Sequence, residues 1–170
     1  MPKSLNQTAL NRGFTVERTY EPIDAASEVR QDDHGVWHFK AGARVRVKVR
    51  FSTPGTKYHV AMMDPIPAGA EPINSHLLGT RTMLPESTNS AEDPTKDDKP
   101  WHSQNWSEHE NLRDHQAEAF TSLLPAGHYE YTYTMMATTP GHYAVPPTKV
   151  EEMYSSESFG RAKAETVIVE

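Results

Sequence analysis

A chain of 170 residues is long enough to bury one core, and its formal net charge of −6 with a pI near 5.8 is the wrong sign for a nucleic-acid or anionic-membrane partner. The absence of cysteine excludes disulfides, thiolate metal sites, a cysteine nucleophile and an internal thioester within these residues. Met1 to Phe14 lacks the apolar run of a signal peptide, and no stretch approaches the roughly 20 apolar residues of a membrane span. The expectation is a cytosolic protein or a piece of a longer exported one, with no membrane insertion by these residues.

In chain order, Gly13 to Tyr20 alternates around Phe14, Val16 and Arg18 and reads as a strand. The turn-forming cluster Asp32-Asp33-His34-Gly35 leads into a second short strand, Val36 to Phe39. Ala41-Gly42 then predicts a hairpin into Arg44 to Phe51, whose strict alternation places Val45, Val47, Val49 and Phe51 on a buried face and a basic series on the other. Tyr58 to Met63 is the next strand, and Asp64-Pro65-Ile66-Pro67 ends it because proline cannot donate to a ladder.

Residues 70–108 are polar and interrupted by prolines, which predicts a long loop insertion, with 87–99 disordered. Order returns at Ala117 to Leu124. Pro125-Ala126-Gly127 turns into Tyr129 to Met135, where Tyr129, Tyr131 and Tyr133 share a face. Thr139-Pro140-Gly141 turns into His142 to Val145, which Pro146-Pro147 stops, and Thr166 to Val169 is a last strand. Roughly seven short strands between turn signals, with no sustained helical period, predict a single all-β domain, an antiparallel β-sandwich of the macroglobulin, immunoglobulin or fibronectin III kind.

The segments Asn111 to Asp114, Glu118 to Phe120, Leu124 to Tyr131 and Ala137 to Gly141 resemble the terminal macroglobulin domain of bacterial alpha-2-macroglobulins and their thioester-free relatives. The resemblance is sharpest at Val145-Pro146-Pro147, Glu151-Glu152-Met153-Tyr154 and Phe159-Gly160-Arg161. It extends upstream through Arg12-Gly13-Phe14, Ala41 to Val49 and Pro67-Ala68-Gly69, leaving out Ser87 to Lys99. It implies a non-catalytic C-terminal domain of a protease inhibitor of the cell envelope, periplasm or extracellular space. In that family a target protease cuts a bait segment and a Cys-Gln thioester in another domain captures it. The last domain packs on the thioester domain and excludes water from the bond. Met153 and Tyr154 take that shielding role by resemblance, with Pro146, Pro147, Glu151, Glu152, Phe159 and Arg161 as a supporting loop.

Other readings stand beside this one. Met153 and Tyr154 could pack into their own domain's edge. Trp101 and Trp106 could form a binding loop for a protein or glycan in a stand-alone module, or anchor a long loop to the body. His102, His109 and His115 match no common zinc spacing, so neither metal nor cofactor is expected. The carboxylates Glu108, Glu110 and Asp114 come with no activated nucleophile or phosphate loop, so no enzyme is expected either.

Overall fold

The alternating segment forms β5, Arg44–Thr53, in a computed structural model that describes residues 7–73 and 106–170. Val45, Val47, Val49 and Phe51 are buried, as the two-residue period requires, and the intervening cations lie on the other face. There Arg44 pairs with Asp24, Lys48 with Glu21 at 2.9 Å, and Arg50 with Glu130 at 2.7 Å. β5 sits between β2, Thr15–Pro22, and β10, Gly127–Ala137, both antiparallel to it. β10 contributes Tyr129, Tyr131, Tyr133 and Met135 to the core from one face, so the tyrosine series is packing rather than a ligand platform.

The remaining described strands are β1, Leu10–Arg12; β3, Val29–Gln31; β4, Trp37–Phe39; β6, Lys57–Pro65; β7, Ala70–Pro72; β8, His109–Arg113; β9, Gln116–Leu124; β11, Gly141–Val145; β12, Lys149–Glu152; β13, Ser155–Arg161; and β14, Glu165–Val169. They form a six-stranded sheet in the order β1-β13-β12-β6-β9-β8, a four-stranded sheet β2-β5-β10-β7, and a second four-stranded sheet β11-β14-β4-β3. The first two face each other across one hydrophobic core, and Trp37 and Phe39 of the third pack edge-on against Tyr20 of β2. The fold is the expected all-β sandwich. Among the described ladders the pairing is antiparallel except between β14 and β4.

Two expectations are corrected. Ala41-Gly42 does not make a hairpin, because β4 and β5 belong to different sheets. The turn carries the chain between layers, with the N–H groups of Ala41 and Gly42 donating to the carbonyls of Glu170 and Ala137, both at 2.7 Å. The preceding turn cluster does close a hairpin, β3 to β4, with Asp32 Oδ1 accepting from the N–H groups of His34 and Val36. The long loop does not begin at residue 70: Ala70–Pro72 is β7, an edge strand on β10, where a proline's missing donor faces away from the ladder. Most of the predicted insertion, including the segment 87–99 expected to be disordered, lies outside the described residues.

Candidate functional site

β12 and β13 form a hairpin connected by Met153 and Tyr154. Neither connecting residue has the positive φ on which favoured two-residue hairpin turns rely. The ladder takes up the mismatch: Glu151 pairs with Phe159, but Glu152 pairs with Ser155, so β13 bulges between them. At the tip Met153 is 47% exposed and Tyr154 84%. Neither side chain is buried in the domain's own edge.

The base of the tip is fastened to β6. The Met153 N–H donates to the His59 carbonyl at 2.8 Å, and Glu152 Oε1 accepts from the Tyr58 N–H at 2.9 Å. Lys57 Nζ lies 3.5 Å from Glu152 Oε2 and donates to Ser158 Oγ at 2.8 Å. Burial works against the Glu152 charge, but hydrogen bonds from Ser158 and the Tyr58 N–H, with the Lys57 cation, hold its carboxyl below the usual range. A carboxyl depressed in the folded state contributes stability above its unfolded pKa, and that contribution is lost as pH falls through the folded pKa. Lys57→Met is therefore expected to move the Glu152 titration midpoint upward in a carboxyl NMR titration, and an unchanged midpoint would contradict the tether. Tyr58 and Leu123, cross-strand partners on β6 and β9, are 60% and 50% exposed, so large apolar side chains gather at this end of the sheet.

The six expected supporting residues are not a loop. Glu151, Glu152, Phe159 and Arg161 are strand residues of β12 and β13, and the extended backbone puts Pro147 roughly 20 Å along the chain from Met153. Of the six, Glu152 is the one tied to the tip. Pro146, Pro147, Glu151, Phe159 and Arg161 line an open groove of about 510 Å³. Within it Glu151 pairs with Lys149, and the Phe159 ring lies beneath the cations of Arg12 and Lys149 at 5.9 and 5.7 Å. Arg161 donates to the Thr8 carbonyl at 3.1 Å.

Trp106 is not a platform. Its ring packs edge-on against Phe51, Tyr129 and Tyr131, and Nε1 donates to the Glu130 carbonyl at 3.1 Å, so it anchors the chain entering β8. Trp101 and His102 lie outside the described residues. His109 stacks on Phe120 at one end of β8, while His115 lies beyond its other end. Among the described residues no three metal-ligating side chains come together. Glu108 and Glu110 are exposed and accept from Ser122 and Ser107.

Sequence reasoning missed a buried ionic cluster at the centre of the sandwich. Arg18 on β2 reaches Asp64 on β6 and Glu165 on β14, both at 2.8 Å. Asp64 also accepts from the hydroxyls of Tyr133 at 2.7 Å and Thr148 at 2.6 Å, and Glu165 accepts from Trp37 Nε1 at 3.1 Å. Burial opposes the guanidinium charge, but Tyr20, Asp64 and Glu165 outweigh it and hold Arg18 protonated beyond its ordinary range. Burial, reinforced by Asp64, pushes the Tyr133 hydroxyl well above the usual tyrosine range. The cluster ties all three sheets together. Through Thr148 it also fixes the entry to β12, the strand that ends at the exposed tip. A signal was present: Arg18 falls in phase with Phe14 and Val16, and Asp64 in phase with Val60 and Met62.

The family model described as the bacterial alpha-2-macroglobulin MG10 domain matches residues 13–157. The chain belongs to that family. Among curated relatives, this macroglobulin domain is 29% identical over 161 residues to a Dictyostelium discoideum protein named circularly permutated Ras protein 2, covering 92% of the domain and 4% of the relative. It is 27% identical over 112 residues to an alpha-2-macroglobulin homolog of a Nostoc species, covering 66% of the domain and 5% of the relative. Native Escherichia coli alpha-2-macroglobulin contains a similar fold, with a TM-score of 0.72 at 21% identity over 100% of this domain and 10% of that chain. A Salmonella alpha-2-macroglobulin reacted with methylamine gives 0.68 at 18% identity over 98% of the domain and 10% of that chain. The macroglobulin domain thus spans only a small part of the relatives it matches.

Proposed function

We propose that this macroglobulin domain is a non-catalytic docking domain of a longer macroglobulin-like protease inhibitor, and that Met153 and Tyr154 pack on its thioester domain and keep water from the bond. The observation that carries this reading is the exposure of a thioether and a phenol ring at the end of a hairpin whose base is fastened to β6. A thioester is lost to hydrolysis unless its surroundings are dry, and a polarisable sulfur beside an aromatic ring gives an adaptable apolar cover. Folding of the domain does not require these side chains inside, which leaves them available to another surface. Such a chain would act in the cell envelope, the periplasm or outside the cell, with a target protease as its indirect partner.

The test separates docking from folding. In the 170-residue chain, Met153→Ala with Tyr154→Ala is expected to change Tm by no more than about 1–2 °C, as for surface substitutions. In the full-length protein the same pair should shorten the lifetime of the methylamine-reactive thioester. An unchanged lifetime with the fold intact rejects the shielding role.

A second reading draws support from the Dictyostelium relative, whose name is that of a Ras protein rather than a protease inhibitor. In that reading the domain is a binding module for a protein partner. Trp106 is committed to the domain's own packing, so the exposed Met153 and Tyr154 would be the contact. A full-length protein with no methylamine-reactive thioester favours this reading.

A further inference from the structure

His59 is the one non-glycine residue among those described with a positive φ, +50°. It lies within β6, where β-region backbone is the norm, and it is missing from the β6–β9 pairing between Tyr58 and Val60. A left-handed residue inside a strand is uncommon, although histidine is among the types that tolerate it. Such conformations persist where the surroundings hold them, and they gather at functional positions. The two contacts at His59 both concern the hairpin tip. Its carbonyl accepts the Met153 N–H at 2.8 Å, and its ring stands edge-on to the Tyr154 ring, with centroids 5.1 Å apart and planes at 85°. Tyr154 is otherwise the most exposed large apolar side chain among the described residues.

We propose that His59 is the positioning residue for Tyr154: the kink in β6 lifts the imidazole against the phenol ring and fixes the direction in which it leaves the hairpin. This rests on the docking role of Tyr154. The kink also offers the His59 carbonyl to Met153, so a single residue would set both members of the exposed pair. An edge-to-face ring pair contributes about 0.5–1.5 kcal/mol beyond burial, enough to favour one orientation by roughly two- to tenfold.

Two substitutions separate ring from backbone. His59→Asn tolerates the left-handed conformation but removes the ring, and His59→Phe keeps a ring at some backbone strain. In the 170-residue chain, the χ1 couplings of Tyr154 should report one dominant rotamer in the wild type and in His59→Phe, and averaging in His59→Asn. Averaged couplings in the wild type, or an unaffected rotamer in His59→Asn, overturn the proposal. In the full-length protein, Tyr154→Ala and His59→Asn should both shorten the thioester lifetime, the latter by roughly two- to tenfold, while His59→Phe restores it. A purely structural role would instead make lifetime follow Tm, placing the strained His59→Phe below His59→Asn. If Tyr154→Ala acts and His59→Asn does not, the positioning role falls and the shielding role stands. If Tyr154→Ala has no effect, the shielding role falls, and the rotamer measurement alone decides the positioning.

Discussion

Arg18→Met is expected to destabilise the domain by about 3–5 kcal/mol, a fall in Tm on the order of 10 °C. The substitution keeps an unbranched apolar stem and removes the guanidinium with its charge and its donors. Asp64, with no exposed surface, would lose its cation, and Glu165 would lose the same counter-charge. The large effect is not the worth of the ion pair itself, since a buried pair gains little over well-packed apolar residues. It is the penalty of leaving a carboxylate in the core without a counter-charge. Asp64→Asn should therefore destabilise too, and the double variant should fall short of the summed single effects by about 1 kcal/mol or more, because the two groups share one network. Additive effects in chemical denaturation would show that the pair is not coupled. The Thr148 hydroxyl bonds to the same carboxylate, so loosening of the β12 entry should accompany the loss.

Gly160→Ala is the second large expectation, about 3 kcal/mol or a drop in Tm of roughly 6–12 °C. Glycine is needed here for space rather than for a special φ. A methyl carbon at residue 160 would sit 2.2 Å from the carbonyl oxygen and 2.8 Å from the carbonyl carbon of Phe14, whose own side chain is fully buried. The obstacle is backbone, so no rotamer change relieves it, and β13 would have to move away from the chain leading into β2. Gly55→Ala is the matching control: nothing lies within 4 Å of the added carbon and its φ is not positive, so the change should stay within about 0.5 kcal/mol. Equal Tm values for the two variants would contradict the close approach. The Phe159-Gly160-Arg161 motif is thereby given a physical reason. Phe159 and Arg161 face outward to the groove, while Gly160 lets the strand press against Phe14.

What could be read from the sequence followed from how strongly each segment declares its period. β5 alternates without exception and β10 carries an aromatic series, so both strands and their buried faces were legible. β13 reads Ser-Ser-Glu-Ser-Phe-Gly-Arg, with little apolar alternation to mark it, because its inward positions include Ser158 and Gly160 rather than large hydrophobes. β7 was hidden by its three-residue length and its proline, both of which are tolerated at a sheet edge. The hairpin error at Ala41-Gly42 has a different origin: turn residues announce a reversal without saying whether the next strand pairs with the last or crosses to the opposite layer. Of the two partners of β4, β3 is supplied by the local turn cluster, whereas β14 is brought in by long-range contacts that no local pattern encodes.

At the candidate site, the residues of the tip were legible but their support was not. Met153 and Tyr154 stood out through a resemblance, and their exposure follows from the hairpin that carries them. The fastening comes from β6, some 90 residues earlier in the chain, through Tyr58 and His59, and nothing local to the motif points there. The buried cluster escaped for a related reason. A charged residue in phase with apolar ones reads as an irregularity until its counter-charge, on another strand in the same inward phase, is seen to meet it.

Docking requires the Met153 and Tyr154 tip to be exposed in this domain and covered in the longer chain proposed for it. Oxidation of Met153 by dilute peroxide, followed by peptide mass analysis, measures that directly in the 170-residue chain and in the full-length protein. The expected result is ready oxidation in the domain alone and strong protection in the full-length protein, lost when the thioester is opened. Equal oxidation in both would contradict docking through this tip.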